Sequence, residues 1–156
     1  MFVRVKNIKG RKYAYLVENE WTPWGSRQRV TKYLGKTIIL ERISEEQKEL
    51  PKELNKALMT AIEQELQNHG FKKQENSWGR ERIIVNLNEK KTEEEGKKIV
   101  LAMNEGYMCD HTLKQLFEFT PTEKPAESAT KLANLALEAG LKLSGEQFLH
   151  LFEQVE

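Results

Sequence analysis

The sequence has a single cysteine, Cys109, among its 156 residues, so it forms no internal disulfide bond. One cysteine is typical of a protein that folds in a reducing compartment. No apolar run approaches the roughly 20 residues that a membrane-spanning helix needs, and the first residues lack the layout of a signal peptide. We therefore expect a cytoplasmic protein that makes no contact with a membrane.

Aspartate is nearly absent, since Asp110 is the only one among 24 acidic residues. Enzymes that use two magnesium ions for phosphoryl transfer draw their ligands largely from aspartate, so a nuclease or polymerase of that kind is not predicted. The three histidines and Cys109 also lack the short paired spacing of zinc ligands. The sequence predicts no bound metal.

Glycine-rich nucleotide loops and hydrolase motifs are missing as well. Gly35-Lys36-Thr37 matches the end of a phosphate-binding loop, but Val30 stands where that motif needs its first glycine. No Gly-x-Gly pair supports a dinucleotide site, and no serine lies in a Gly-x-Ser-x-Gly motif. We predict no catalytic residue and no cofactor. An enzyme whose site is assembled from scattered Glu, Lys and Tyr residues stays an open alternative, because sequence order hides spatial clusters.

Charge is unevenly distributed along a chain whose net charge is only +1. Residues 1–40 contain nine Lys or Arg and two Glu, whereas residues 101–156 contain four Lys and nine acidic residues. A basic segment attracts polyanions and an acidic segment repels them. The amino-terminal quarter is therefore the part of the chain suited to nucleic acid.

The first third of the chain has the composition of an antiparallel β-element. Residues 2–9 and 12–21 are rich in β-branched and aromatic residues, and Gly10-Arg11 between them predicts a hairpin turn. A third strand is predicted over residues 27–34. Residues 36–43 either extend this strand or form a fourth one.

The rest of the chain predicts an α+β fold class, with a long helix, a second small β-meander and C-terminal helices. Ser44 and Gln47 match a capping box, but Pro51 favours a helix over about 51–69. Ser144 and Gln147 repeat the capping box before the last helix. The predicted meander strands are 71–74, 80–87 and 97–103, and the predicted C-terminal helices are 112–119, 126–139 and 144–155. Three regions result, a basic antiparallel β-element (1–43), a helix plus β-meander (44–107) and an acidic helical region (108–156), either separate or in one compact unit.

The predicted strands place arginine and tyrosine on shared faces. Tyr13 and Tyr15 alternate onto one face of the second strand, and Arg27, Arg29 and Tyr33 onto one face of the third. Guanidinium groups bind phosphate and tyrosine rings stack on unpaired bases. The competing interpretation is that the aromatic residues cover a small core and the cations protect strand edges. The predicted nucleic-acid-binding residues are Arg4, Lys6, Lys9, Arg11, Lys12, Tyr13, Tyr15, Trp24, Arg27, Arg29, Lys32 and Tyr33.

The last helix predicts a different kind of contact. It carries Glu146 and Glu153 and no Lys or Arg, so phosphate groups would be repelled by it. Its apolar side chains Phe148 and Phe152 are instead predicted to pack or to bind a protein partner.

Two segments of the predicted β-element resemble the amino-terminal segment of certain transposases. Residues 10–18 (GRKYAYLVE) match a Lys/Arg-x-Tyr-x-Tyr-Leu-Val-Glu strand, and residues 27–35 (RQRVTKYLG) match the Arg-Gln-x-x-x-x-Tyr-Leu-Gly strand that follows it. The resemblance implies a small β-element of DNA-handling proteins. The dispersed acidic residues of the transposase catalytic domain have no counterpart downstream, so transposition is not implied. The remainder resembles small uncharacterised proteins of archaeal type.

These features predict a non-catalytic protein that binds nucleic acid through its amino-terminal sheet. RNA or single strands are favoured, because the aromatic rings offer stacking surfaces. The alternative is a protein-protein adaptor or assembly subunit that binds its partner through the C-terminal helices.

Overall fold

The structure is a computed structural model, and it describes residues 1–155. Its four described helices have 15, 8, 14 and 9 residues, and none of these is long and apolar enough to cross a membrane. In chain order the elements are β1 (Phe2–Ile8), β2 (Arg11–Thr22), β3 (Gly25–Ile39), α1 (Leu54–Asn68), β4 (Lys72–Lys73), β5 (Trp78–Arg80), β6 (Ile83–Asn86), β7 (Lys91–Glu94), β8 (Lys97–Met103), β9 (Gly106–Met108), α2 (Asp110–Phe117), α3 (Pro125–Glu138) and α4 (Gly145–Glu153).

All nine described strands belong to one mixed sheet. Its order is β1-β2-β3-β8-β7-β6-β5-β4, and β9 also pairs with β8. Neighbouring strands are antiparallel except β3 and β8, which run parallel and pair residues 36–39 with residues 99–102. This parallel contact connects the amino-terminal strands to the rest of the sheet.

The predicted α+β fold class is wrong, because the structure is a mixed α/β fold built on one large sheet. We expected an antiparallel β-element of three or four strands and a second, separate meander. The parallel pairing of β3 with β8 merges the two. Such pairing joins segments that lie far apart along the chain, so a local hydrophobic pattern contains no trace of it.

The predicted long helix over about 51–69 is also absent. The helix of this region, α1, has 15 residues and begins at Leu54, after a segment over 40–53 that has no helix or strand. The Ser44 hydroxyl donates to Asn68 Oδ1 at 2.9 Å, so Ser44 does not cap a helix and instead ties this segment to the end of α1. Pro51 prevents a continuous helix from Ser44, because proline removes a backbone donor and its ring clashes with the preceding turn.

Two predictions based on local signals are confirmed. The hairpin between β1 and β2 exists, although its turn lies at Lys9 and Gly10, with φ angles of 53° and 81°, one residue before the predicted Gly10-Arg11. Positive φ at both central residues gives the tight turn that suits twisted strands. The capping box before α4 also exists, since the Ser144 hydroxyl accepts from the Gln147 N–H at 3.1 Å and the Gln147 side chain accepts from the Ser144 N–H at 3.2 Å.

Two clusters of buried side chains hold the helices and the sheet together. The larger cluster includes residues from all four helices and from β5, β6 and β8. The smaller cluster lies against the amino-terminal strands and consists of Ala14, Leu16, Leu34, Val100 and Cys109. Full burial of an aliphatic side chain such as leucine stabilises the fold by about 1.5–3 kcal/mol. The smaller cluster therefore fixes which face of β1–β3 points inward.

A buried carboxylate ties three connecting segments to α1. Glu65 is fully buried, and its carboxylate accepts hydrogen bonds from Arg42 at 2.6 Å, from the Asn104 side chain at 2.7 Å and from the Lys142 backbone N–H at 3.0 Å. The three donors lie in the segment before α1, in the β8–β9 turn and between α3 and α4. One side chain thus joins regions that are distant in sequence.

Candidate nucleic-acid interface

The pairing register sorts the side chains of β1–β3 onto two faces. Residues directly opposite each other in antiparallel strands share a face. Tyr15 lies opposite Arg4 and Tyr33, and Tyr13 lies opposite Lys6 and Lys36. These six residues form what we call the tyrosine face. The other face carries Ala14 and Leu16 and is covered by the smaller core cluster.

Three tyrosine rings contact one another on the tyrosine face. The ring centroids of Tyr15 and Tyr33 are 5.3 Å apart, and those of Tyr13 and Tyr33 are 6.5 Å apart, both in tilted arrangements. Tyr33 is exposed and its two neighbours are half-buried. The rings are therefore held in place by each other and by the sheet while part of their surface stays open to solvent.

Two lysine amines lie over these rings. Lys6 Nζ is 5.1 Å from the centroid of Tyr15, and Lys98 Nζ is 5.4 Å from the centroid of Tyr33. The Lys98 amine also donates to the Tyr33 carbonyl oxygen at 2.7 Å. Cation–π attraction holds each amine beside an aromatic surface. Positive charge and stacking surface thus occur at the same place.

Burial raises the pKa of the Tyr33 hydroxyl above its ordinary value of 10.0, and the neighbouring Tyr15 and Tyr13 raise it further. The hydroxyl is consequently neutral near pH 7. A neutral hydroxyl donates a hydrogen bond to phosphate or to a base edge, whereas a phenolate would repel phosphate.

The prediction that Arg27, Arg29 and Tyr33 share a face is wrong. A bulge interrupts the β2–β3 register between Leu16 and Val17 and leaves Thr31 of β3 without an opposite residue. One extra residue reverses the alternation beyond it. Arg29 and Arg27 therefore lie opposite Glu18 and Glu20, on the face that does not carry the tyrosines.

Both arginines form ion pairs there. Arg29 contacts the carboxylate of Glu18, and Arg27 Nε lies 3.4 Å from Glu20 Oε2. Exposed pairs of this kind contribute little stability, typically about 0–1 kcal/mol. They do neutralise the two cations locally, which removes Arg27 and Arg29 from the candidate interface.

The remaining predicted cations divide between the faces. Arg11 lies opposite Ile8 at one end of the tyrosine face, and Lys9 lies in the adjoining hairpin turn. Lys12 lies opposite Asn7 and Lys32 opposite Leu16, both on the other face. Trp24 lies in the distant turn between β2 and β3 and is 93% exposed.

Two cations of the candidate interface were missed from the sequence. Lys36 enters it because a second bulge, between Ala14 and Tyr15 of β2, leaves Leu34 of β3 without an opposite residue and so brings Lys36 onto the face of Tyr33. Lys98 enters it because β8 lies beside β3, and no local signal indicates this parallel contact. Neither position was accessible to sequence reasoning, because simple alternation along an extended third strand would place Lys36 on the face opposite Tyr33.

Negative charge is absent from the tyrosine face along β1–β3, which the structure describes throughout. Glu18 and Glu20, the two acidic residues of these strands, both lie on the other face. The Arg4 guanidinium on the tyrosine face donates to the side-chain oxygen of Gln28 and not to a carboxylate. Strands β1–β3 therefore add no carboxylate to this surface, and beyond them Glu93 of β7 lies opposite Lys98.

The predicted partner-binding residues lie together on α4. The ring centroids of Phe148 and Phe152 are 5.8 Å apart, and both side chains are half-buried. Phe148 packs against the larger core cluster. Their role in binding a partner stays a prediction.

Within residues 1–155, no group of three His, Cys, Asp or Glu side chains is placed to hold a metal ion. Comparisons of the chain with models of protein families, with curated proteins and with solved structures found no match.

Proposed function

We propose that this protein binds single-stranded nucleic acid, RNA or single-stranded DNA, on its tyrosine face without catalysing a reaction. The observation that carries the proposal is the cluster of Tyr13, Tyr15 and Tyr33, with the amines of Lys6 and Lys98 over two of its rings. No carboxylate of β1–β3 shares that face.

Single strands fit this surface better than a duplex does. Bases in a single strand can turn outward and stack on aromatic rings, and each such contact contributes about 1–3 kcal/mol. In a duplex the base faces are already stacked on each other. The phosphates of the strand would lie near the cations beside the rings, and each neutralised phosphate contributes roughly 0.7 to the slope of log affinity against log salt for single strands.

Lys6 and Lys12 provide a matched test of the binding face. They lie on the same hairpin but on opposite faces. We expect Lys6→Ala to lower the affinity for a fluorescein-labelled oligo(U) or oligo(dT) and to reduce the salt slope by roughly 0.7, as expected for one lost phosphate contact. Lys12→Ala should leave the slope unchanged. Fluorescence anisotropy at several salt concentrations measures both. Equal slopes for the two variants, or no binding of single strands at low salt, would contradict the proposal.

Tyr33 tests the stacking contribution separately from charge. We expect Tyr33→Ala to weaken binding by roughly 5- to 150-fold, the equivalent of about 1–3 kcal/mol for one stacked base. Tyr33→Phe keeps the ring and should retain most of the affinity. Similar losses in both variants would show that the hydroxyl, and not the ring, makes the contact. Thermal melting of each variant controls for loss of folded protein.

A further inference from the structure

Strands β2 and β3 extend beyond β1 as a two-stranded arm. The pairing of β1 with β2 ends at Phe2 and Val17. Beyond that point residues 18–22 of β2 pair only with residues 25–29 of β3, and we call these two segments the arm. Trp21, near its tip, is 86% exposed, and Trp24 in its turn is 93% exposed.

The two faces of the arm differ in charge. One face carries two ion pairs, Glu18 with Arg29 and Glu20 with Arg27. The other face continues the tyrosine face, because the side chains of β2 alternate without interruption from Tyr13 to Trp21. Its opposed pairs carry no charge: Asn19 with Gln28 and Trp21 with Ser26 are exposed, whereas Val17, opposite Val30, is buried.

This neutral side of the arm matches the chemistry of unpaired bases. The Asn19 amide can donate and accept hydrogen bonds, as base edges require, and the Gln28 amide, whose oxygen accepts from Arg4, keeps its NH2 group as a donor. Trp21 is 86% exposed, so most of its indole ring is open to a stacking base. The amines of Lys6 and Lys98 lie at the opposite end, beside the tyrosines, and the Arg4 guanidinium contacts Gln28 of the arm. The surface therefore passes from positive and aromatic, through polar amides, to aromatic.

We infer that a single strand lies lengthwise along β2, from the tyrosines to Trp21, with base edges at Asn19 and Gln28 and a base stacked on Trp21. This inference rests on the proposed function and assigns the footprint of the bound strand, meaning the residues that it contacts. Eight residues separate Tyr13 from Trp21, so the strip is about 26 Å long at roughly 3.3 Å per residue. Two-stranded ribbons twist strongly, so the bound strand winds around the arm.

The strip from Tyr13 to Trp21 is chemically complementary to a single strand of nucleic acid. A strand of nucleic acid is bound by cations and stacking surfaces in line and is repelled by carboxylates. The register supplies all of these on one face and places Glu18 and Glu20 on the other. An apolar protein partner would require none of this separation of charge.

Oligonucleotide length provides the test, because the footprint is longer than the tyrosine cluster. We titrate the wild-type protein and Trp21→Ala with two lengths of oligo(U), about 4 and about 12 nucleotides. Both lengths fall within the range known for single-strand sites. We expect Trp21→Ala to weaken binding of the longer strand by roughly 5-fold or more and to leave the shorter strand unaffected. Because Trp21 is 86% exposed, its removal costs little folding stability. Arg27→Ala, on the other face of the arm, is the matched control and should change neither affinity.

Fluorescence gives an independent measurement. The variant Trp24→Phe keeps two tryptophans. Trp21 is exposed, whereas Trp78 is only 8% exposed. Quenching by the longer strand, and not by the shorter one, is the expected result. If Trp21→Ala affects neither strand, or both equally, while the Tyr33 variants behave as proposed, the footprint is wrong and the proposed function stands. If wild-type protein binds neither strand, both are wrong.

Discussion

Replacing Glu65 by Ala tests whether one buried carboxylate holds the loops of this fold together. Glu65 is fully buried and Arg42, its ion-pair partner, has a side chain that is 12% exposed. Truncation removes the 2.6 Å partner of the guanidinium and leaves it one ion pair, from Arg42 Nε to Glu45 Oε1 at 3.2 Å, whose carboxylate is 70% exposed. Removing one member of a buried ion pair is costly, because the other charge stays desolvated, and the exposed Glu45 compensates Arg42 only weakly.

The expected loss follows from the contacts that remain. Breaking a buried pair costs about 3–5 kcal/mol. The Asn104 side chain keeps its bond to the Gly140 carbonyl at 2.7 Å, so we add nothing for that donor. A domain of this size has a total stability of about 5–15 kcal/mol. Glu65→Ala should therefore remove a large fraction of it and lower the melting temperature by roughly 6–20 °C, at about 2–4 °C per kcal/mol.

Urea unfolding followed by circular dichroism measures the change in free energy. Glu63→Ala on the same helix is the matched control, since Glu63 lies 3.8 Å from an exposed Lys73 amine and its loss should cost less than about 1 kcal/mol. The double variant Arg42→Met with Glu65→Leu removes both charges and should recover most of the stability. If Glu65→Ala and Glu63→Ala unfold at similar urea concentrations, the carboxylate does not have the role that we assign to it.

Two other predictions concern the same fold. Gly106→Ala should lower the free energy of unfolding by about 1–3 kcal/mol, because a Cβ there would lie 1.9 Å from the Leu137 carbonyl oxygen. Gly145 has open space around it, so Gly145→Ala should be near neutral in the same urea titration. Burial lowers the pKa of His111, and the charge of Lys32 lowers it further. The His111 imidazole therefore binds a proton more tightly in the unfolded chain than in the folded protein. Stability falls as pH drops from 7 through 6.5 toward the lowered pKa of His111 in the folded protein. His111→Gln should flatten this pH dependence, and an unchanged slope between pH 7 and pH 5 would contradict it.

Local chemistry made part of the fold predictable from the sequence. The hairpin depends on a turn in which Gly10 adopts a positive φ, and the start of α4 depends on the Ser144–Gln147 capping box. Each signal lies within a few residues, and the same few residues determine the structure. The union of two β regions into one sheet depends instead on contacts between residues 36–39 and 99–102. No short segment contains that information.

The candidate site was predictable to the same extent. Tyr13 and Tyr15 share a face because simple alternation along β2 places them there. Arg27 and Arg29 were misplaced because the bulge at Thr31, one of two in β3, reverses the alternation of the strand, and the residues around it carry no distinctive bulge signal. Glu65 is likewise one of 24 acidic residues, and only tertiary contacts distinguish it.

The bulge at Thr31 also explains how a nearly neutral protein presents a positive surface. Without it, Arg27 and Arg29 would join the tyrosines, and Glu18 and Glu20 on β2 would face no cation across the ribbon. With it, the two acidic residues of the first forty positions pair with those two arginines on one face. The tyrosine face therefore keeps its remaining cations without an opposing carboxylate from β1–β3. Electrostatic attraction for phosphate then depends on this sorting of charge between two faces and not on the net charge of +1.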